Sequence, residues 1–177
     1  WGGSCFPKDV AGLIKISADL GYDFTLLKAA EEINDDQTQH FLRRLEHRLG
    51  GFAGKTVALL GLAFKPNTDD IRDAKSLEMI ETMLAKGAAV RAFDPVATDH
   101  VRELWPQVTY VEKVYEVAEG ADALVLVTEW NEFRQLDLDR LGSTMRQRVL
   151  FDGRRVYGHA VAERAGFGPA GTMRHHF

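Results

Sequence analysis

The only cysteine of the 177-residue chain stands in Trp1-Gly2-Gly3-Ser4-Cys5-Phe6-Pro7-Lys8-Asp9, just ahead of a helix start. The unpaired N–H groups and positive dipole end of a helix favour thiolate over thiol, so Cys5 is a candidate nucleophile. Lys8 adds a positive charge nearby. Pro7 suits the first helical turn, where its missing N–H is no loss. Asp9 falls in that turn too, where the dipole favours a carboxylate and a four-residue spacing can bring it to the face of the thiol. Gly2 and Gly3 permit a close approach of backbone to ligand. A thiol with a carboxylate one turn away is a pattern for covalent catalysis. The competing reading is a small, buried, inert apolar residue, the commoner state of a free cysteine.

A second set of candidates follows the short apolar runs. Gly61-Leu62-Ala63-Phe64-Lys65-Pro66-Asn67-Thr68-Asp69-Asp70-Ile71-Arg72 comes after the run ending at Leu60. Thr128-Glu129-Trp130 and Asp152-Gly153-Arg154-Arg155 come after two later runs. Phe64, Lys65, Arg72 and Arg154 are expected to converge on one edge, with a flat ring for a base and cations for phosphate. Singly, each reads as an ordinary solvated loop residue.

The elements that must position these residues fall into two parts. Residues 7 to about 49 recur apolar at helical spacing, through Leu13, Ile16 and Leu20, then Leu26, Ile33, Phe41, Leu42, Leu45 and Leu49. Gly21-Tyr22-Asp23 breaks them into two helices. The second is long, and its apolar stripe needs cover from this chain or from a second subunit. Gly50-Gly51 and Gly54 mark a boundary between parts 1–49 and 50–177. Beyond it strands are predicted at 55–61, 88–94, 108–111, 122–128 and 149–152, and helices at 76–86, 114–119, 136–145 and 159–165. Near-continuous apolar strands alternating with helices predict an α/β, Rossmann-like parallel sheet covered on both faces. In such sheets ligands bind past the carboxyl ends of the strands.

Several classes are excluded or disfavoured. A net charge of −4 without a basic run argues against a nucleic-acid surface. No apolar stretch is long enough to span a membrane. No signal-peptide pattern opens the chain, and one cysteine allows no internal disulfide, so the cytoplasm is expected. Gly54-Lys55-Thr56 imitates the end of a P-loop, but Leu49 holds the place of the motif's first glycine and the segment precedes its strand. Only Gly61 follows Leu60, so the sheet lacks a dinucleotide fingerprint. His40 and His47, seven apart with no ligand partner, read as surface residues, not a metal pair.

Four segments, Gly2 to Asp9, Gly61 to Arg72, Thr128-Glu129-Trp130 and Phe151-Asp152-Gly153-Arg154, occur in the order and spacing of the UDP-glucose 6-dehydrogenases, which the chain resembles over nearly its whole length. It is similar only to the later part of that family's sequence: the end of the central helical domain and the C-terminal UDP-binding domain. The NAD-binding Rossmann domain and the catalytic lysine and asparagine lie in the family's earlier part.

The resemblance implies oxidation of UDP-glucose to UDP-glucuronate with two NAD+. Cys5 would be the nucleophile, passing through a thiohemiacetal and a thioester, and Asp9 would orient water. Trp1, Gly2, Phe64, Lys65 and Arg154 would contact substrate, Arg72 would contact the cofactor, and the long helix would form a homodimer. Related enzymes act on GDP-mannose or UDP-N-acetyl sugars, which stay open as alternatives. So does a UDP-binding and dimerisation module without turnover.

Overall fold

The computed structural model describes Trp1 and residues 5–168. Two helices lead, α1 (Phe6–Asp19) and α2 (Thr25–Leu49). Gly50 stops α2 at φ 71°, a left-handed conformation that suits glycine. Its N–H donates to His47 C=O at 3.3 Å, and Gly51 N–H donates to Glu46 C=O at 2.9 Å. This paired closure satisfies carbonyls that the helix end would leave open.

Five strands follow: β1 (Thr56–Leu60), β2 (Ala89–Phe93), β3 (Thr109–Tyr110), β4 (Ala123–Leu126) and β5 (Leu150–Asp152). They pair in the order β3-β2-β1-β4-β5, every pair parallel. The strand order reverses at β1, which fixes where a crevice opens at the carboxyl ends. Helices α3 (Lys75–Ala85), α4 (Thr98–Leu104), α5 (Leu138–Thr144) and α6 (His159–Arg164) surround the sheet, with 3-10 turns at Val114–Ala118 and Asn131–Gln135. The sheet is thus the Rossmann-like α/β architecture that the apolar runs predict.

Strand alternation divides the core in two. Val57, Leu59, Val125 and Val127 face one cluster with Phe41, Leu42, Leu45, Leu49, Ile80 and Met83. Ala58, Leu60, Leu124 and Leu126 face the other, with Phe133, Leu141 and Phe167. Each fully buried Leu or Val contributes roughly 1.5–3 kcal/mol. The second half of α2 therefore packs on its own sheet, so part of the long stripe needs no other cover. The rest is uncovered: Leu13, Ile16, Leu20, Tyr22, Leu26 and Ile33 are exposed, Leu20 at 81% and Leu26 at 78%.

Two elements escape the sequence reading. Helix α4 buries only Val101 of its seven residues, so it carries no periodic stripe. The 3-10 turn at Asn131–Gln135 buries only Phe133. Segment 114–118, expected as a short helix, is a 3-10 turn.

Candidate nucleotide cleft at the strand ends

The loop after β1 is pinned from three sides. Asp94, at the end of β2 and only 4% exposed, accepts at Oδ2 from Leu62 N–H (2.7 Å), Ala63 N–H (3.2 Å) and Trp130 Nε1–H (3.2 Å). Its Oδ1 accepts from Val96 N–H (3.0 Å) and Ala97 N–H (2.8 Å), at the start of α4. Ser76 Oγ donates to Leu62 C=O at 2.5 Å, and Thr128 Oγ1 donates to Ala63 C=O at 2.6 Å. Phe64 N–H then closes the loop on Asp70 C=O at 3.1 Å. Phe64 and Lys65 leave this rigid base at a fixed place, with Lys65 Nζ 5.0 Å from the Phe64 ring centre.

The same packing closes the usual dinucleotide entry. Gly61 has φ 92°, and a Cβ there would lie 2.4 Å from Thr128 Cβ. The β1 turn is filled by the protein's own chain, and the acid at the end of β2 is saturated.

Arg154 reaches the edge from β5. Gly153 N–H donates to Leu126 C=O at 3.0 Å, an approach so close that an added Cβ would stand 3.0 Å from that oxygen and 3.5 Å from the Phe41 ring. Asp152 accepts from Arg154 N–H and Tyr157 N–H, both at 2.9 Å, and so shapes the turn. The Arg154 guanidinium donates from Nε to Val127 C=O at 2.6 Å and from an Nη to Phe64 C=O at 3.5 Å. It stands 3.2 Å from Glu129 Oε2. Held on two backbone carbonyls, it keeps further N–H donors for a ligand.

These groups line a cleft of about 500 Å³ between α2, α3 and the carboxyl ends of β4 and β5. Trp1, Phe64, Lys65 and Arg154 meet there, joined by Asn34, Thr38, His40, Lys75 and Glu129. The convergence expected from strand ends holds for Phe64, Lys65 and Arg154 but not for Arg72. Arg72 does not line the cleft; its Nε and one Nη donate to the Asp70 carboxylate, the shortest contact being 2.6 Å. That hydrogen bonding holds the Asp70 carboxyl down to about 2. A lowered carboxylate keeps its pairing above its ordinary range and loses it only as pH falls toward that value, so Arg72 is engaged at neutral pH.

Cys5 occupies the N-cap of α1 and is exposed, which sets aside the buried, inert reading. Asp9 lies in the first turn, as the spacing predicts, and its N–H donates to Cys5 C=O at 3.0 Å. Neither residue lines the cleft. The thiol is close enough for its charge to be felt at Arg72, where it is a smaller influence than Asp70. Gly2 lies outside the described residues. Asn34, Thr38, His40, Lys75 and Glu129 were not singled out by sequence; the first three are polar residues on the stretch of α2 that faces the strand ends, a signal visible only once the helix is docked. Among the described residues no cluster of three His, Cys, Asp or Glu could hold a metal, and no helix is long and apolar enough to cross a membrane.

A five-stranded parallel sheet with a cation-bearing cleft at its carboxyl edge defines a Rossmann-like ligand-binding domain of the α/β class. Residues 58–159 match the UDP binding domain of the UDP-glucose/GDP-mannose dehydrogenase family, and residues 1–36 match that family's central domain. The chain belongs to the UDP-glucose/GDP-mannose dehydrogenase family. It is 46% identical over 174 residues to a UDP-glucose 6-dehydrogenase of Pseudomonas aeruginosa, covering 94% of this chain and 38% of that one. It is 42% identical over 158 residues to one from Bacillus subtilis, covering 89% of this chain and 36% of that one. A solved UDP-glucose dehydrogenase from Pyrobaculum islandicum superposes with a TM-score of 0.79 at 37% identity, over 88% of this chain and 35% of that one. The chain thus spans a little over a third of the length of these relatives.

Proposed function

We propose that this chain carries the thiol and the nucleotide cleft of a dehydrogenase that oxidises UDP-glucose to UDP-glucuronate with two NAD+. The observation that supports it most is the cleft itself, which gathers Trp1, Phe64, Lys65 and Arg154 inside or beside the segment matched to a UDP binding domain. Arg154 and Lys65 hold the diphosphate, Arg154 by paired N–H donors and Lys65 as a mobile point charge. Phe64 and Trp1 offer aromatic faces, and Gly2 lets the backbone approach the sugar. Cys5 stands at the start of α1, outside the nucleotide's own walls, where the C6 end of the sugar would arrive.

The Cys5 thiolate adds to the C6 carbon at the aldehyde level; a carbon–sulfur bond forms and the carbonyl oxygen takes a proton. Loss of hydride from C6 leaves a thioester. Water, oriented by Asp9, attacks that carbon; the carbon–sulfur bond breaks, and carboxylate, thiolate and proton are released. NAD+, when bound, supplies the hydride acceptor. The sheet of this chain does not fit that dinucleotide, because the Gly61 turn is filled and Asp94 is saturated. Arg72 offers a single cationic contact.

For the chain alone we favour nucleotide binding without turnover. The uncovered apolar residues of α1 and α2 support a homodimer formed through the long helix. The division at 49/50 separates the thiol-bearing helices from the UDP-binding part, with the end of α2 as a strut packed on the sheet. A lone free cysteine supports a cytoplasmic location.

Calorimetric titration checks the nucleotide. UDP-glucose should bind the purified chain at least about tenfold more tightly than GDP-mannose. Equal or tighter binding of GDP-mannose would remove the uridine assignment. Steady NADH formation on adding NAD+ and UDP-glucose would overturn the reading of the chain as inactive alone.

A further inference from the structure

Three acids stand at the carboxyl ends of the sheet, and two of them are spent on the chain itself. Asp94 accepts five hydrogen bonds, all from the protein. Asp152 accepts one at each oxygen. Glu129, three residues past β4, differs. Its Oε2 is buried in the cleft wall and accepts no hydrogen bond, although the Arg154 guanidinium is 3.2 Å away. The reason is directional: the single hydrogen on Arg154 Nε is given to Val127 C=O at 2.6 Å. A buried carboxylate oxygen without a donor is costly, and native sites seldom leave one unpaired unless a ligand completes it.

An ionised carboxylate accepts only, so its partner must be a donor and cannot be a phosphate. Arg154, its immediate neighbour, faces the diphosphate in the reading above, on which this inference rests. The groups joined directly to a sugar nucleotide's diphosphate are its two sugars. The hexose must extend toward Cys5, away from the sheet domain, which leaves the ribose on the sheet side. We propose that Glu129 Oε2 accepts a hydrogen bond from a ribose hydroxyl of the bound nucleotide. Glu129 thereby takes the place that Asp94, at the end of β2, would hold in a sheet that binds a dinucleotide.

A double-mutant cycle between protein and ligand tests this. UDP, 2′-deoxy-UDP and 3′-deoxy-UDP are titrated calorimetrically into the chain and its Glu129→Gln and Glu129→Ala variants, each checked for an unchanged melting temperature. Removing one ribose hydroxyl should weaken binding about 10- to 100-fold in the parent chain and by less than about twofold in Glu129→Ala, with Glu129→Gln between. If Glu129 served only to steady Arg154, its loss would weaken all three ligands equally, and that result overturns the proposal while leaving the UDP cleft intact. Failure of the parent chain to bind UDP at all would overturn both.

Discussion

Replacing Cys5 by alanine is expected to abolish formation of the uronate in a protein carrying the full length of its relatives, by on the order of 10⁴-fold or more. The thiol is the only group on this chain that can form a covalent bond to C6 and then release it by hydrolysis. It is exposed at the N-cap of α1, where helix N–H groups favour its anion, and Asp9 follows in the first turn. Serine at the same place should be nearly as damaging, because its hydroxyl lacks a nearby base and its ester is hydrolysed more slowly. Affinity for UDP should be unchanged in both variants, since Cys5 does not line the cleft. Quantifying UDP-glucuronate and calorimetric affinity side by side separates the two effects. Normal product formation by Cys5→Ala would remove the thiol from the chemistry.

Asp94→Ala is expected to cost about 3–5 kcal/mol and to lower the melting temperature by roughly 6–20 °C. The side chain is buried, and its two oxygens take five N–H donors from three segments: the β1 loop, the start of α4 and Trp130. Truncation leaves those donors facing a void. Asn would be milder, since it keeps one acceptor and adds a donor that has nothing to meet. The loop that Asp94 holds leads directly to Phe64 and Lys65, so UDP affinity should fall even where the variant remains folded. Thermal unfolding followed by far-ultraviolet dichroism measures the first effect and calorimetry the second. A melting temperature within about 2 °C of the parent would show that these hydrogen bonds are not what fixes the loop.

The sheet was legible because parallel strands buried on both faces must be apolar nearly throughout, as Val57-Ala58-Leu59-Leu60 and Leu124-Val125-Leu126-Val127 are. The break at Gly21 and the stop at Gly50 were legible because each glycine adopts positive φ. Helix α4 was not, because seven residues with one buried side chain leave no period to read. Phe64, Lys65 and Arg154 could be placed by the strand-end rule alone. Arg72 misled that rule: Asp70, two residues before it, captures the guanidinium locally. Asn34, Thr38 and His40 could not be found, because which side of α2 meets the cleft depends on how the helix docks. Glu129 stood in a noticed segment, yet its unpaired oxygen depends on where a neighbour's single N–H points, which no sequence spells out.

A crystal structure of the chain soaked with UDP bears most directly on the nucleotide cleft. The diphosphate is expected within hydrogen-bond reach of Arg154 and Lys65, past the ends of β4 and β5, with the uridine inside the cleft bounded by Phe64 and α2. A nucleotide seated at the Gly61 turn, or elsewhere with Arg154 and Lys65 untouched, would contradict it.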